Sequence, residues 1–165
     1  MKSLKFVLLL FISISMLTLQ CQPVGAARQN TKEEAIKKLL SSRMYQFIPQ
    51  SAQPQSGRSI PISNYSLTIR KDSLASYLPY LGVAHSAKMN PGKGPLDFNA
   101  TNFAYSTKDG KKGNTLISIK LDDASGAQEF NFIVSSSGYA TLNVTFNSRQ
   151  SMSFYGQIGD IHARR

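Results

Sequence analysis

This sequence predicts a mainly β protein, an N-terminal α-helix followed by a seven- to eight-stranded antiparallel barrel. Three observations carry that prediction. Apolar residues recur at helical spacing over about 31–43, the period falls to two after Met44, and short turns rich in Gly, Asp, Asn and Ser separate the alternating segments.

The chain opens on Met1-Lys-Ser-Leu-Lys5, continues through the largely apolar Phe6–Leu19, and reaches the small residues Val24-Gly-Ala26. A charged start, an apolar stretch and a small-residue site form an export signal. The apolar stretch, 14 residues, is shorter than the roughly 20 a spanning helix needs. Residues 1–26 are therefore expected to be a signal peptide, cut after Ala26 or, nearly as well, after Ala27. A cut after Ala26 leaves 139 residues, enough for one domain with its own core. It also discards Cys21, the sole cysteine, leaving no disulfide and no thiol chemistry. The alternative is a lipid anchor at Cys21, which the bulky Gln20 before it disfavours.

The helix is expected next, as part of a segment 27–44. Thr31-Lys-Glu-Glu34 fits a capping box, and Ile36, Leu39, Leu40 and Met44 share one face. Arg43 falls near the helix end, where a cation suits the dipole.

Residues 45–165 form the expected β domain. Tyr65, Leu67 and Ile69 alternate with polar residues, as do Ile117, Ile119 and Leu121, then Phe130, Phe132 and Val134, then Ala140, Leu142, Val144 and Phe146. Weaker strand candidates lie at 45–48, 60–62, 102–107 and 152–158. Alternation implies one packed and one wet face, hence antiparallel pairing. Turns at Asp109–Gly113, 122–126, 135–138 and 147–150 make the second half a five-strand meander. Such a sheet covers its apolar face by closing into a barrel, with a β-sandwich as the alternative. No strand reads as apolar outward, so a lipid-facing barrel is not expected. Ser73–Gly82 reads as a short helical turn ending at Leu78-Pro79, and His85–Pro95 as a loop.

Charge and chemistry narrow the function classes. The chain carries 19 basic and 9 acidic residues; without Lys2 and Lys5 the balance is +8, scattered in small groups such as Lys37-Lys38, Arg70-Lys71 and Lys111-Lys112. No basic face interleaved with aromatics appears, which argues against nucleic acid as a partner. His85 and His162, the only histidines, sit in no metal-ligand spacing. Asp122-Asp123 falls in a turn, and no nucleophile elbow or phosphate loop is present. The expectation is a protein that is not an enzyme and uses no cofactor. Asp72-Ser73-Leu74 resembles the Asp-Ser/Thr-aliphatic acceptor of an O-glycosylation system of some Gram-negative bacteria, which would modify Ser73. The architectural alternative is that Asp72 caps a turn.

Gly57-Arg-Ser-Ile60, Tyr77-Leu-Pro-Tyr-Leu-Gly82 with Ala84-His-Ser86, Leu96-Asp-Phe98, Gly138-Tyr-Ala-Thr-Leu142, Asn147-Ser-Arg149 and Phe154-Tyr-Gly156 occur in this order. Together they resemble a bacterial family of small exported proteins with a single domain of unknown function. The resemblance implies a periplasmic or envelope address in a Gram-negative cell and a barrel similar to lipocalins. It attaches no activity. Arg58, Tyr77, Tyr80, Arg149 and Tyr155 are the polar and amphipathic groups inside these motifs. Were they to converge at a barrel mouth, they would orient an anionic or amphipathic small molecule. The functional expectation is an exported, noncatalytic envelope protein binding such a ligand in its barrel. The alternative is a surface-mediated partner of another envelope protein or a structural component.

Overall fold

The computed structural model describes residues 24–55, 57–82, 94, 96–122 and 127–161. Outside them lie most of the expected leader, both histidines, most of the expected loop at 85–95 and most of the expected turn at 122–126. The chain divides into two compact units, Met1–Thr31 and Lys32–Arg165.

Helix α1 spans Val24–Ser42, so it begins earlier than the capping box predicts. Thr31 lies inside it and not at its start. Ala26-Ala-Arg-Gln29 are good helix formers, and a helix already running through them leaves no free first turn for Thr31 to close. Within the second unit the buried face of α1 consists of Ile36 and Leu40. The helix stops at Arg43, which takes a left-handed backbone (φ 53°) and donates its N–H to Leu40 O at 3.2 Å.

Ten strands follow: β1 (Tyr45–Pro54), β2 (Ile60–Pro61), β3 (Ser66–Ile69), β4 (Leu74–Tyr77), β5 (Asp97–Ala100), β6 (Phe103–Asp109), β7 (Thr115–Leu121), β8 (Ala127–Val134), β9 (Tyr139–Phe146) and β10 (Met152–Gly159). The sheet runs β5-β4-β3-β1-β10-β9-β8-β7-β6, with β2 beside β1. Every pairing is antiparallel. The result is a nearly closed barrel, its seam between β5 and β6. The expected five-strand meander is β6–β10.

The strand number exceeds the seven or eight expected because two short strands, β4 and β5, stand together on one side of that seam. Leu74–Tyr77 is a strand and not a helical turn: the Arg70 N–H bonds Ser73 O at 2.8 Å, and this tight reversal sets Leu74 opposite Ile69. On β4, Leu74 and Ser76 point inward, and Ser76 Oγ satisfies itself on Leu96 O at 2.7 Å. Four residues are too few to display a period against the helix-like cluster of Leu and Tyr that follows.

The inward positions fill the barrel. Phe47 meets Phe132 edge-on at 5.5 Å and Phe98 meets Phe130 at 6.2 Å, so side chains from opposite walls touch. Phe47, Phe130, Phe132, Phe154, Leu67, Ile69, Ile117, Ile119 and Leu142 are all fully buried. A barrel of about eight strands has an interior just wide enough for such a filling. One close approach needs glycine. β1 bulges between Pro49 and Ser51 opposite Gly156, and a Cβ on Gly156 would lie 2.7 Å from Pro49 Cα.

The outward positions depart from the sequence expectation. Leu116, Ile133, Tyr139 and Tyr155 face out and are 40%, 43%, 56% and 42% exposed. Strands β7 to β10 therefore do carry apolar and aromatic groups on the outer face.

Candidate functional site

A cleft of about 480 Å³ opens where the end of α1 meets the β6–β7 hairpin, lined by Lys37, Leu40, Ser41, Arg43, Tyr105, Thr107, Lys108, Asp109 and Thr115. That volume falls within the range of small-molecule sites, about 300–1,000 Å³. Two features of the fold build it. Ile36 and Leu40 anchor the helix to the barrel, and the left-handed turn at Arg43 swings the chain from the helix into β1.

Tyr45 opens β1 and points inward, with no exposed surface. Its phenol needs a partner there and finds Tyr105 on β6, with 3.2 Å between the hydroxyls. The Arg43 guanidinium stands 4.6 Å from the Tyr105 ring centre, a cation–π contact. Burial pushes the Tyr45 hydroxyl far above the ordinary tyrosine range, with Tyr105 adding to the rise and Arg43 opposing it. Burial likewise raises Tyr105, against the hydrogen bond from Tyr45 and the Arg43 charge. Both tyrosines thus stay neutral, and the positive groups set the potential of the cleft. Lys37 pairs with Glu33 at 3.0 Å along the exposed helix face, and Asp109 puts one carboxylate among the lining residues. The hairpin tip beyond Asp109 adds Lys111 and Lys112, both exposed. The cleft offers a fixed guanidinium, hydroxyls from Ser41, Thr107, Thr115 and Tyr105, and an apolar floor at Leu40. Such a set has the chemistry to hold an anion that carries some apolar surface.

The sequence expectation singled out other residues. Of these, the structure joins only Tyr80 and Arg149: the guanidinium lies 5.6 Å from the ring centre. Tyr80 also packs edge-on against Phe146 at 5.2 Å and donates to Gln150 O at 3.3 Å. Tyr77 projects outward from β4 and stacks on Tyr65 at 5.3 Å. Arg58 is exposed between β1 and β2. Tyr155 faces outward from β10 and bonds Gln53 Oε1 at 3.4 Å. These residues form no common barrel mouth, because the alternation that buries Ser76, Phe154 and Gly156 turns Tyr77 and Tyr155 to the outside. Ser73 is half-buried in the β3–β4 reversal, its carbonyl accepting from Arg70. Ala26 and Ala27 lie within α1.

Arg43, Tyr45, Tyr105 and Lys108 were not among the candidate site residues read from the sequence, where Arg43 figured only as a cation suited to the helix end. The available signal was a tyrosine at an inward position of each of two strands, since a buried phenol implies a polar neighbour. Among the described residues no three His, Cys, Asp or Glu gather as a metal site, and no helix is long and apolar enough to cross a membrane.

Comparison with known proteins agrees with the architecture. A family model described as a domain of unknown function, DUF4251, matches residues 27–158. No curated protein matches the chain. A crystal structure of a DUF4251 family protein from Bacteroides eggerthii DSM 20697 is similar with a TM-score of 0.56 and 13% identity, over 79% of this chain and 88% of that one. At that identity the likeness is one of fold.

Proposed function

The chain belongs to the DUF4251 family, and from that premise we propose that it is an exported, noncatalytic binding protein of the bacterial envelope that holds an anionic, partly apolar small molecule outside its barrel, in the cleft beside Arg43. The observation that carries this reading is Arg43 itself. A non-glycine residue in the left-handed region costs about 1–2 kcal/mol, and here that conformation sets a guanidinium over Tyr105 at the cleft wall. Backbone outliers of this kind gather at ligand sites. The filled interior supports a surface site over carriage inside the barrel. Export rests on the charged, apolar and small-residue order of the first 26 residues.

Titration calorimetry with inorganic phosphate and with an alkyl phosphate tests the cleft. The alkyl phosphate should bind more tightly, and Arg43→Ala and Lys108→Ala should each weaken it by about tenfold, or 1.4 kcal/mol. Binding should also weaken with salt. Affinity unchanged in both variants would remove the cleft from consideration. Intact-mass measurement on envelope-fraction protein tests the address: a mass beginning at Ala27 supports free export, and one beginning at an acylated Cys21 replaces it with an anchor.

A further inference from the structure

The outer face of β7, β8, β9, β10 and β1 is almost free of charge, although the chain carries 19 basic and 9 acidic residues. In-register partners trace its rows. Leu116, Ile133, Thr141, Tyr155 and Ser51 follow one another across the five strands. The next row is Ser118, Asn131, Asn143, Ser153 and Gln53. On the other side Tyr139 stands opposite Gln157, beside Ile48. Among the described outward side chains of these strands, the charged ones are Lys120 and Glu129, which face each other at one end. Solvated sheet faces ordinarily carry mixed charges. This one carries amides, hydroxyls and two tyrosines.

Tyr139 and Tyr155 are diagonal neighbours on adjacent strands, a spacing of about 7–8 Å that aromatic side chains span. Between them lies a shallow depression of about 250 Å³, also lined by Asn114, Ile133, Ser135 and Thr141. It is smaller than an enclosing small-molecule site, about 300–1,000 Å³, so it would cradle one unit of something larger lying across the sheet. The polar groups around it are held in place. Ser153 Oγ donates to Asn143 Oδ1 at 2.7 Å, and Tyr155 Oη donates to Gln53 Oε1 at 3.4 Å. The amides of Asn143 and Gln53 thus each have the oxygen engaged by a neighbouring hydroxyl.

We infer that this face binds a neutral glycan chain. A sugar ring offers an apolar C–H face that packs on a tyrosine ring, and hydroxyls that both donate and accept. It offers no charge to match, and among the described residues the face presents little: Lys32 over the Tyr139 ring at 6.0 Å and the Lys120–Glu129 pair at one end. A protein partner would be expected to meet a core of apolar or arginine anchors, whereas here the exposed aliphatics of the first row are one cross-strand pair, Leu116 and Ile133, set beside amides and hydroxyls. The inference is independent of the anion cleft, which lies at the end of α1 and β6.

Affinity electrophoresis of the mature protein through gels containing a soluble β-glucan, an α-glucan, a mannan or a xylan tests it. At least one polymer should retard the protein. The Tyr139→Ala, Tyr155→Ala double variant should lose about tenfold in affinity or more. The Tyr139→Phe, Tyr155→Phe variant keeps both rings and should retain most of the retardation, which also covers the event that the alanine variant does not fold. Arg43→Ala should be retarded like the parent, even if the anion cleft proves wrong. Retardation by none of the four polymers would overturn the inference, as would equal retardation of the parent and a folded alanine variant. So would a dimer in sedimentation velocity that the alanine variant abolishes, since a second copy would then occupy the face.

Discussion

At the scale of single residues, Arg43 separates stability from binding. Its left-handed backbone is a conformation that glycine adopts without penalty, while its guanidinium packs on Tyr105. Arg43→Ala keeps the strain and loses the contact, so thermal unfolding should show it about 1 kcal/mol less stable. Arg43→Gly relieves the strain as it loses the contact and should stay within about 0.5 kcal/mol of the parent, yet bind alkyl phosphate as poorly as the alanine variant. The tyrosine pair beneath has a pH signature. Tyr45 has its folded pKa raised above the unfolded value of about 10. Its contribution is therefore fully present below pH 10 and is lost as pH rises beyond, because the unfolded chain releases its proton first. Urea unfolding above pH 10 should show stability falling by up to about 1.4 kcal/mol per pH unit from this residue. Tyr45→Phe should flatten that slope, and an unchanged slope would contradict the burial argument.

At the scale of elements, the helical part of the second unit meets the barrel at a glycine. Gly138 turns between β8 and β9 at φ +86°, and a Cβ there would stand 2.8 Å from Ile36 Cδ1. Gly138→Ala should destabilise by about 2 kcal/mol, part strain and part collision. Ile36→Val removes the colliding methyl, so the double variant should recover about 0.5–1 kcal/mol relative to additivity in a double-mutant cycle. Additive losses would mean that strain alone matters. The elements differ in how readily the sequence disclosed them. Strands β7 to β10 run seven or eight residues each, long enough for a period of two to be read. The four-residue β4 and β5 give no such signal and exist because neighbours pair with them. The cleft was hidden for a related reason. Tyr45 and Tyr105 are 60 residues apart, and no local spacing announces that β1 and β6 bring them together. The outer face was partly visible in Ile133, an apolar residue at a polar position between Phe132 and Val134.

At the scale of the whole barrel, strand order and chain order differ by a rotation only. Beginning at β6 and passing from β10 to β1, the chain visits each strand in the order it occupies in the sheet, with β2 to one side, and finishes at β5. The native ends meet in the middle of the sheet, Gln46 opposite Gly159. The seam lies instead at residues 101–102, between two strands adjacent in sequence.

That seam bears on how the molecule folds. In the native connectivity β1 must find β10 across the 97 residues between Pro54 and Met152, the kind of distant pairing that slows folding. A circular permutant joining residue 159 to residue 45 through a short linker, and opening between Thr101 and Asn102, makes that pairing a hairpin and breaks no strand pair. Without α1 it tests the barrel alone; with residues 32–44 kept in line between the linker and β1 it tests the second unit. In stopped-flow refolding the permutant should fold about tenfold faster or more, with its unfolding arm little changed. The native gene order would then be the slower of two routes to one sheet, its rate set by how long two distant ends take to meet.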